Sequence, residues 1–471
     1  MKSVRYLQLL FASILLLFLF MIVSCTKEEP TVTLRIWQTE TDKDAVKELD
    51  TIITKFKNYM LSQEKQKVEI MVETIPWNAL AQKLAVALQT GNEPDICHLE
   101  PFMAYSLVKR ELLLPLDDLI NEIQTVNNDT IFQVVKDLQK YKEKTYGIAY
   151  ALGVTGFAYR KDWADKIGLK EPKTWSDFIE FTKKLINSRK NKQKILLPGG
   201  DPFFIDQLFA ELLVNNGGKL FNPQSKMPLL TSREVVEVLE FFKELKPFIY
   251  DNWLTLKYLE QFNLLGKGDA AIVPVTYVRA VKSIENQVAS IKQNSVLANP
   301  DYFALMQQPI GISNKEKISY STIDCEPFVI FKRSLSIQTG KNNNAYYSKE
   351  FLKYFYMKEN YLKFVTKVPI HLTPIFQDMA KTPEYLSTPL IDNWMQWQNF
   401  TTNHIKENRV RPILMPDLSE NGRMLPFLLE FQAKNILTSA VIDVLVNDLS
   451  PEEAAKKAQY TTINLLKSLG Y

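Results

Sequence analysis

Strand-like and helix-like segments alternate along this chain from residue 31 onward, and this alternation constrains the fold more than any other feature. Residues 31–37 carry apolar side chains in the strand period and stop at a polar loop, before a helical stretch that reaches about Leu61. The next segments are predicted as a strand at 68–73, a helix that begins at Pro76 and a strand at 94–99. Alternation of this kind predicts an α/β fold whose first unit is βαβαβ.

The first 25 residues have the pattern of an export signal and are set aside from the fold. Two basic residues precede an apolar run over 7–23, and Ile22-Val23-Ser24-Cys25 resembles the bacterial lipobox, with a small residue before a cysteine. We therefore expect 1–24 to be a signal peptide and 25–29 a tether that is lipidated on Cys25. A retained transmembrane anchor is the alternative, because the apolar run is just long enough to span a bilayer.

Composition excludes several classes of function. Hydrophobic residues make up 46% of the chain and charged residues 23%, which is typical of a soluble globular protein, and 471 residues favour two domains over one. The formal charge of +4 includes Lys2 and Arg5, so the mature chain carries +2 and nucleic acid is not an expected partner. The histidines, His98, His371 and His404, lack ligand spacing, so we predict no metal, no cofactor and no catalytic residue.

Two cysteines remain if Cys25 carries lipid. Cys97 and Cys325 are too few for a disulfide framework, so the fold must depend on its hydrophobic core. We expect two separate free thiols, and a disulfide between them is the alternative.

Short motifs follow one another in a fixed order over most of the chain. They are Thr33-Leu34-Arg35-Ile36-Trp37, Ile75-Pro76-Trp77, Gly91-Asn92-Glu93-Pro94-Asp95-Ile96, Leu114-Pro115-Leu116, Tyr146-Gly147-Ile148-Ala149-Tyr150, Pro172-Lys173-Thr174-Trp175, Asn216-Gly217-Gly218, Gly266-Lys267-Gly268-Asp269-Ala270-Ala271 and Ser450-Pro451-Glu452-Glu453-Ala454. In order and spacing, this series resembles the family 1 extracellular solute-binding proteins, the group that includes the maltose-binding proteins.

The resemblance implies a type II periplasmic-binding-protein-like fold, in which two interleaved α/β lobes are joined by hinge crossings and close over a ligand. Carried onto this sequence, lobe 1 is 30–148 with 327–370, and lobe 2 is 149–326 with 371–471. The expected partners are a small-molecule ligand and the transmembrane subunits of an ABC permease. The protein is expected to be an exported monomer, anchored by lipid to the cell membrane and facing the periplasm or the cell exterior.

Polar residues follow the first and third predicted strands, where loops at the carboxyl ends of an open sheet present ligand-binding groups. Gln38, Thr39 and Glu40 come after the first strand, and Glu100 comes after the third. Carboxylates and amides accept and donate hydrogen bonds to hydroxyl groups, which suits a sugar. Each acid could equally be a solvated loop residue. Trp77 is near the ligand in many relatives, and a packed residue at the helix start is the alternative.

The resemblance also implies binding residues in lobe 2 and at the crossings. The turn before Asp201 and Phe203 resembles one that contributes an acceptor and a stacking ring in sugar-binding relatives. Tyr277 stands where many relatives carry a stacking tryptophan. Tyr150 and His371 lie at predicted crossings, where they could face the ligand or pack the hinge.

One segment departs from the family pattern. Relatives have a glycine-rich stretch before the later hinge strand, whereas this chain has Asp324 and Glu326 there. Either the site is more acidic than usual or this loop lies outside it. The acids taken together keep a cationic ligand open as a possibility.

These features predict a lipid-anchored, non-enzymatic component of an ABC importer that binds a sugar or oligosaccharide. The alternatives are a binding protein for a glycerol phosphodiester, an amino sugar or a polyamine, or a sensory lipoprotein on the same fold. An exported glycosidase is a further alternative, because such enzymes need only a spaced pair of acids, although nothing in the sequence fixes such a pair.

Overall fold

The computed structural model describes residues 31–189, 193–274, 281–285, 299–338, 340–412 and 425–471, with only the backbone of Asn78 and Asp324. Its β-strands are β1 (Val32–Gln38), β2 (Val68–Thr74), β3 (Ile96–His98), β4 (Lys140–Tyr141), β5 (Lys144–Thr145), β6 (Ile148–Ala149), β7 (Gly153–Val154), β8 (Phe157–Arg160), β9 (Lys194–Ile195), β10 (Ala270–Val273), β11 (Phe303–Met306), β12 (Ser321–Asp324), β13 (Pro327–Ile330) and β14 (Val410–Pro412).

Helices connect and cover these strands. They are α1 (Lys43–Gln63), α2 (Trp77–Thr90), α3 (Pro101–Lys109), α4 (Asp117–Asn127), α5 (Gln133–Leu138), α6 (Lys161–Lys166), α7 (Trp175–Ser188), α8 (Pro202–Asn215), α9 (Arg233–Leu245), α10 (Tyr258–Lys267), α11 (Asn344–Phe355), α12 (Lys358–Val365), α13 (Pro383–Leu386), α14 (Pro389–Asn393), α15 (Met395–Lys406), α16 (Leu428–Ala433), α17 (Ile436–Leu445) and α18 (Pro451–Ser468). Short 3-10 turns lie at Lys246–Phe248, Trp253–Thr255, Pro300–Tyr302, Lys332–Leu335 and Met379–Lys381.

The larger sheet has the strand order β2-β1-β3-β13-β6. Its first three strands are parallel, with β1 between β2 and β3, whereas β13 runs antiparallel to both β3 and β6. Alternate residues of β1, beginning with Val32, point into the core and are almost fully buried. Because β1 and β3 are parallel neighbours, the loops that follow them emerge at the same edge of the sheet.

A second sheet has the order β11-β8-β10-β9, and a third, smaller sheet has the order β14-β12-β7. In the third sheet β12 pairs with β7 through Ile323 and Val154, and with β14 through Ser321 and Val410. Segments far apart in sequence therefore meet beside the larger sheet.

Several helices begin at side chains that bind the free amide groups of the first turn. Asp42 accepts from the amides of Asp44 and Ala45 at the start of α1. Reciprocal capping boxes open α7, through Thr174 and Asp177, and α18, through Ser450 and Glu453. The motif at 450–454 therefore forms the start of the last helix.

The predicted α/β class is confirmed, and the first unit has the predicted βαβαβ order. Residues 327–330 join the sheet formed by the first strands, although 177 residues, 150–326, separate β6 from β13. The exact lobe boundaries stay a prediction. No helix in the described part of the chain is long and apolar enough to cross a membrane.

Candidate functional site

The loop after β1 folds back on itself through buried side chains. The Gln38 side chain donates to the Glu40 carbonyl oxygen at 2.9 Å and accepts from the Glu40 amide. One carboxylate oxygen of Glu40 accepts from the Asp42 amide at 2.7 Å. Gln38, Thr39 and Glu40 are all buried, so these contacts fix the loop at the edge of the larger sheet.

His98, at the end of β3, lies at the centre of this region. Its Nδ1 is 2.5 Å from the Thr39 hydroxyl, and its Nε2 is 3.6 Å from a carboxylate oxygen of Glu326. Its ring centroid is 4.1 Å from that of Tyr150 and 5.4 Å from that of Trp77. The imidazole thus connects residues from four separate segments.

Tyr150 and Glu326 are held together where β6 ends and β13 begins. The amide of Tyr150 donates to the carbonyl oxygen of Glu326 at 3.1 Å, and the Tyr150 hydroxyl donates to Glu40 Oε2 at 3.3 Å. Glu100 follows β3 and precedes the proline that opens α3, with only 1% of its surface exposed. Predicted residues from three loops therefore meet at one edge of the sheet.

The opposite wall is formed by the turn that precedes α8. Asp201 accepts from the Tyr258 amide at 2.8 Å, and Lys257 Nζ lies 3.3 Å from its other oxygen. The Phe204 ring stacks on Tyr258 with centroids 3.6 Å apart, and Phe203 packs edge-on against Phe204.

At two glycines of this turn, the backbone passes too close to neighbouring residues for any side chain to fit. A Cβ atom at Gly199 would lie 2.5 Å from the Trp253 ring, and one at Gly200 would lie 2.8 Å from the Thr255 carbonyl oxygen. Glycine is therefore required there for the backbone to pass against the 253–255 turn.

A cavity of about 800 Å³ lies between these two walls. The predicted residues that line it are Thr39, Trp77, Glu100, Tyr150, Asp201, Phe203, Glu326 and His371. Gln38 and Glu40 are absent from the lining and support the loop behind it. Tyr277 and Cys25 lie outside the described residues. Asp324 ends β12 opposite Gly153, and its side chain is likewise outside the description.

Sequence reasoning missed other residues that line or support the cavity: His98, Gln82, Phe204, Lys257, Tyr258, Leu429, Glu430 and Asn435. His98 could have been found, because it ends the same strand that led to Glu100. Nothing local to their sequence marks Lys257 or Glu430, which reach the cavity only through long-range packing. For Glu430 this packing places α16 against α2 and α3, where the Ser106 hydroxyl donates to the Pro426 carbonyl oxygen at 3.1 Å.

A lysine contacts the residues that follow the loop after β1. Lys282 Nζ lies 2.8 Å from the carboxylates of Asp42 and Asp44 and donates to the Lys367 carbonyl oxygen at 3.0 Å. We call these contacts the Lys282 bridge. They join a segment that follows β10 to the start of α1.

The two cysteines beyond residue 30, Cys97 and Cys325, are buried and are not joined by a disulfide, as predicted. Burial raises the pKa of the Cys97 thiol well above its ordinary value, so Cys97 is an unreactive core residue. Among the described residues, no group of three or more His, Cys, Asp or Glu side chains is arranged to hold a metal ion.

A model of the bacterial extracellular solute-binding proteins matches residues 51–393. The chain belongs to this family. The chain is similar to YcjN of Escherichia coli K12, a putative ABC transporter periplasmic-binding protein, with 23% identity over 230 residues. That alignment covers 48% of this chain and 51% of YcjN. The resemblance drawn from the motifs is thereby confirmed.

The diacetylchitobiose binding protein DasA of Streptomyces coelicolor is 29% identical over 160 residues, covering 34% of this chain and 35% of DasA. The chain thus spans about half the length of YcjN and about a third of the length of DasA. Maltose-bound MalE3 of T. maritima superposes with a TM-score of 0.70 at 15% identity, over 92% of this chain and 100% of MalE3. This likeness shows the shared two-lobe fold.

Proposed function

We propose that this protein is the lipid-anchored, solute-binding component of an ABC importer, and that it binds a sugar or oligosaccharide in the cavity and delivers it to the permease. The observation that carries the proposal is the composition of the cavity, which combines aromatic rings and carboxylates on two facing walls. The names of three similar proteins support it: YcjN is named as a putative ABC transporter periplasmic-binding protein, DasA as a diacetylchitobiose binding protein, and MalE3 is described with bound maltose.

Aromatic and acidic groups serve different parts of a sugar. Phe203, Phe204 and Tyr258 line one wall and Trp77 lines the other, and aromatic side chains suit the apolar C–H surface of a pyranose. Glu100 and Asp201 on the two walls accept hydrogen bonds from hydroxyl groups. The volume of about 800 Å³ falls in the ordinary range for small-molecule sites.

The proposed lobes place this cavity at their junction. Thr39, Trp77 and Glu100 belong to the proposed lobe 1, and Asp201 and Phe203 to the proposed lobe 2. Three further lining residues lie at the proposed lobe boundaries or one residue from them, and they are Tyr150, Glu326 and His371. A ligand that touches both walls stabilises the closed arrangement by the difference between its affinities for the closed and open states.

The proposal is tested by calorimetry and thermal unfolding of the purified protein with maltose, diacetylchitobiose and longer neutral oligosaccharides. A ligand that binds only the native state at 100 times its Kd stabilises the fold by about 2.7 kcal/mol. Phe203→Ala removes a ring face, and the loss of about 1–3 kcal/mol corresponds to an affinity roughly 5- to 150-fold weaker.

The matched control is Phe248→Ala, which removes a half-buried phenylalanine outside the cavity lining and should leave affinity unchanged. If no carbohydrate shifted the unfolding temperature, or if Phe203→Ala bound as tightly as the control, the proposed function would be wrong. Incubation with chromogenic glycosides separates binding from hydrolysis, and we expect no release of chromophore.

A further inference from the structure

A second cavity, of about 1120 Å³, lies apart from the first one. Its walls include α5 and α15, and we call it the α5–α15 cavity. It shares no described lining residue with the first cavity. Lining residues within 105–142 form one part of it and those within 377–408 form the other, so segments far apart in sequence enclose a space large enough for a small molecule.

The walls of the α5–α15 cavity are rich in apolar side chains that the core does not fully cover. The half-buried ones are Phe132, Val134, Tyr141, Leu386 and Met395. Apolar surface that several segments turn toward one cavity is characteristic of a binding site. An occupant of this cavity therefore needs an apolar body.

One polar group is built into the wall. Gln398 on α15 lines the cavity and is 1% exposed. Its Oε1 accepts from the hydroxyl groups of Tyr385 and Thr373 at 3.3 and 3.4 Å, and neither of these residues is among the described lining. Its Nε2 is buried and donates to no described residue. Because a buried amide donor without an acceptor is costly, an occupant that accepts a hydrogen bond would be stabilised here.

The charged side chains of the lining are mostly lysines. They are Lys140, Lys142, Lys381 and Lys406. Lys381 lies 3.3 Å from the Asp378 carboxylate, and the other three form no ion pair within the described part of the chain. Lys406 follows Gln398 by eight residues on α15, so both lie on the same face of that helix. Such lysines attract an anion and can lay their apolar stems along its body.

Only one kind of occupant uses all three features. An inorganic anion would leave the apolar walls uncovered, and a neutral hydrocarbon would leave the Gln398 amide without an acceptor. We propose that the α5–α15 cavity is a second ligand site, which binds a monomeric carboxylate with an apolar chain, such as a medium-chain fatty acid. The chain packs against the apolar walls, the carboxylate accepts from Gln398 Nε2, and the lysines supply the opposite charge. The site does not depend on what the first cavity binds.

The test is calorimetry of the purified protein at pH 7.5 with decanoate, decan-1-ol and decyltrimethylammonium, each below its micelle-forming concentration. We expect decanoate to bind at least about fivefold more tightly than decan-1-ol, because a charge-assisted hydrogen bond favours the carboxylate. Decyltrimethylammonium should be the weakest of the three. Shortening decanoate to hexanoate should weaken binding by about fourfold for each methylene group removed.

Two variants of α15 locate the ligand. Asn399→Trp places a large ring at an exposed lining position and should weaken decanoate binding at least about tenfold. Asn403→Trp is the control, because Asn403 is exposed on the same helix but lies outside the described lining, and it should bind decanoate like the wild type.

Two further variants test the carboxylate. Gln398→Met should keep the affinity for decan-1-ol and lose most of the preference for decanoate. Lys406→Gln should reduce that preference about two- to fivefold, whereas Lys183→Gln, an exposed lysine on α7 outside the lining, should keep it. Thermal unfolding checks that each variant is folded, and Lys406→Gln supplies the comparison if Gln398→Met is unstable.

Binding of decanoate no tighter than that of decan-1-ol, or decanoate binding unchanged by Asn399→Trp, would overturn the proposal. Loss of decanoate binding in Phe203→Ala would assign the carboxylate to the first cavity and would also overturn it. The same holds if the protein binds phosphatidylglycerol vesicles but not dissolved decanoate.

Discussion

Glu211, in α8, is a buried carboxylate whose chemistry depends on its surroundings. Its Oε1 accepts from the Thr155 hydroxyl at 2.8 Å and from the Gln207 amide at 3.2 Å, and Gln308 donates to Oε2. Burial raises its pKa to about 7, against the opposing effect of these hydrogen bonds. Glu211 therefore links α8 to the segments of β7 and β12 as a group that is part protonated near neutral pH.

This raised pKa gives stability a definite dependence on pH. The unfolded chain releases the Glu211 proton near its ordinary pKa of 4.5, whereas the folded chain keeps it until about pH 7. The contribution of Glu211 to the free energy of unfolding is therefore complete below pH 4.5 and is lost as pH rises through 7. Between pH 5 and pH 8 we expect the free energy of unfolding to fall by roughly 1–3 kcal/mol on account of this residue.

Urea unfolding at pH 5 and pH 8 measures this effect in the wild type and in Glu211→Gln. The variant should lose that part of the pH dependence. Asp206, whose pKa burial also raises to about 7, contributes in the same direction and remains in both proteins. Identical pH dependence in the two proteins would contradict the account of Glu211.

At the scale of elements, α8 and α17 are joined by a cap that one helix supplies to the other. Asn435 precedes α17 in a left-handed conformation and provides no side-chain cap. Instead, Asp206 Oδ1 accepts from the amide and the hydroxyl of Thr438 at 2.7 and 2.6 Å. The first turn of α17 is thus completed from α8.

We expect Asp206→Ala to destabilise the protein by about 1–3 kcal/mol, because it leaves the buried Thr438 amide without its acceptor. Thr438→Val should cost less, since the amide keeps its bond. A double-mutant cycle by urea unfolding should give a coupling energy of at least about 0.5 kcal/mol. Additive effects would mean that the two side chains act independently.

The sequence pattern within a short segment was enough to predict the first two strands. The strand period gave β1 and β2 to within one residue. The same reasoning found the acids after β1 and β3, because those loops follow directly from parallel strands. It could not find Lys257, Tyr258 or Glu430, since these reach the cavity through packing between distant segments.

At the scale of the whole molecule, the Lys282 bridge connects the proposed lobes. Lys282 belongs to the proposed lobe 2, whereas Asp42, Asp44 and Lys367 belong to the proposed lobe 1. The Asp44 carboxylate is largely exposed, so the bridge contributes only about 0.5–1 kcal/mol. Even so, it favours whichever arrangement of the lobes holds these groups together.

Lys282→Met should therefore shift the unliganded protein toward a more open form. We expect a larger radius of gyration by small-angle scattering and a ligand affinity about two- to fivefold weaker. Lys349→Met is the control, because its bridge to Asp118 lies within the proposed lobe 1. Equal radii and affinities in the two variants would show that the Lys282 bridge plays no part in closure.

The anchor is tested on the whole chain in cells. If Cys25 receives lipid, Cys25→Ser should yield an unlabelled and unprocessed precursor after growth with a radioactive fatty acid. A processed, labelled variant would contradict the lipobox interpretation.

The turn at Gly199 and Gly200 has a consequence for how specificity can change over time. Any side chain there meets Trp253 or the 253–255 backbone, so the position of this wall is determined by packing on the side away from the ligand. Asp201 and Phe203 project from a support that does not depend on what occupies the cavity. Mutations at Phe203 are thus free to change ligand preference while the scaffold stays intact, whereas Asp201 also accepts from the Tyr258 amide and is more constrained.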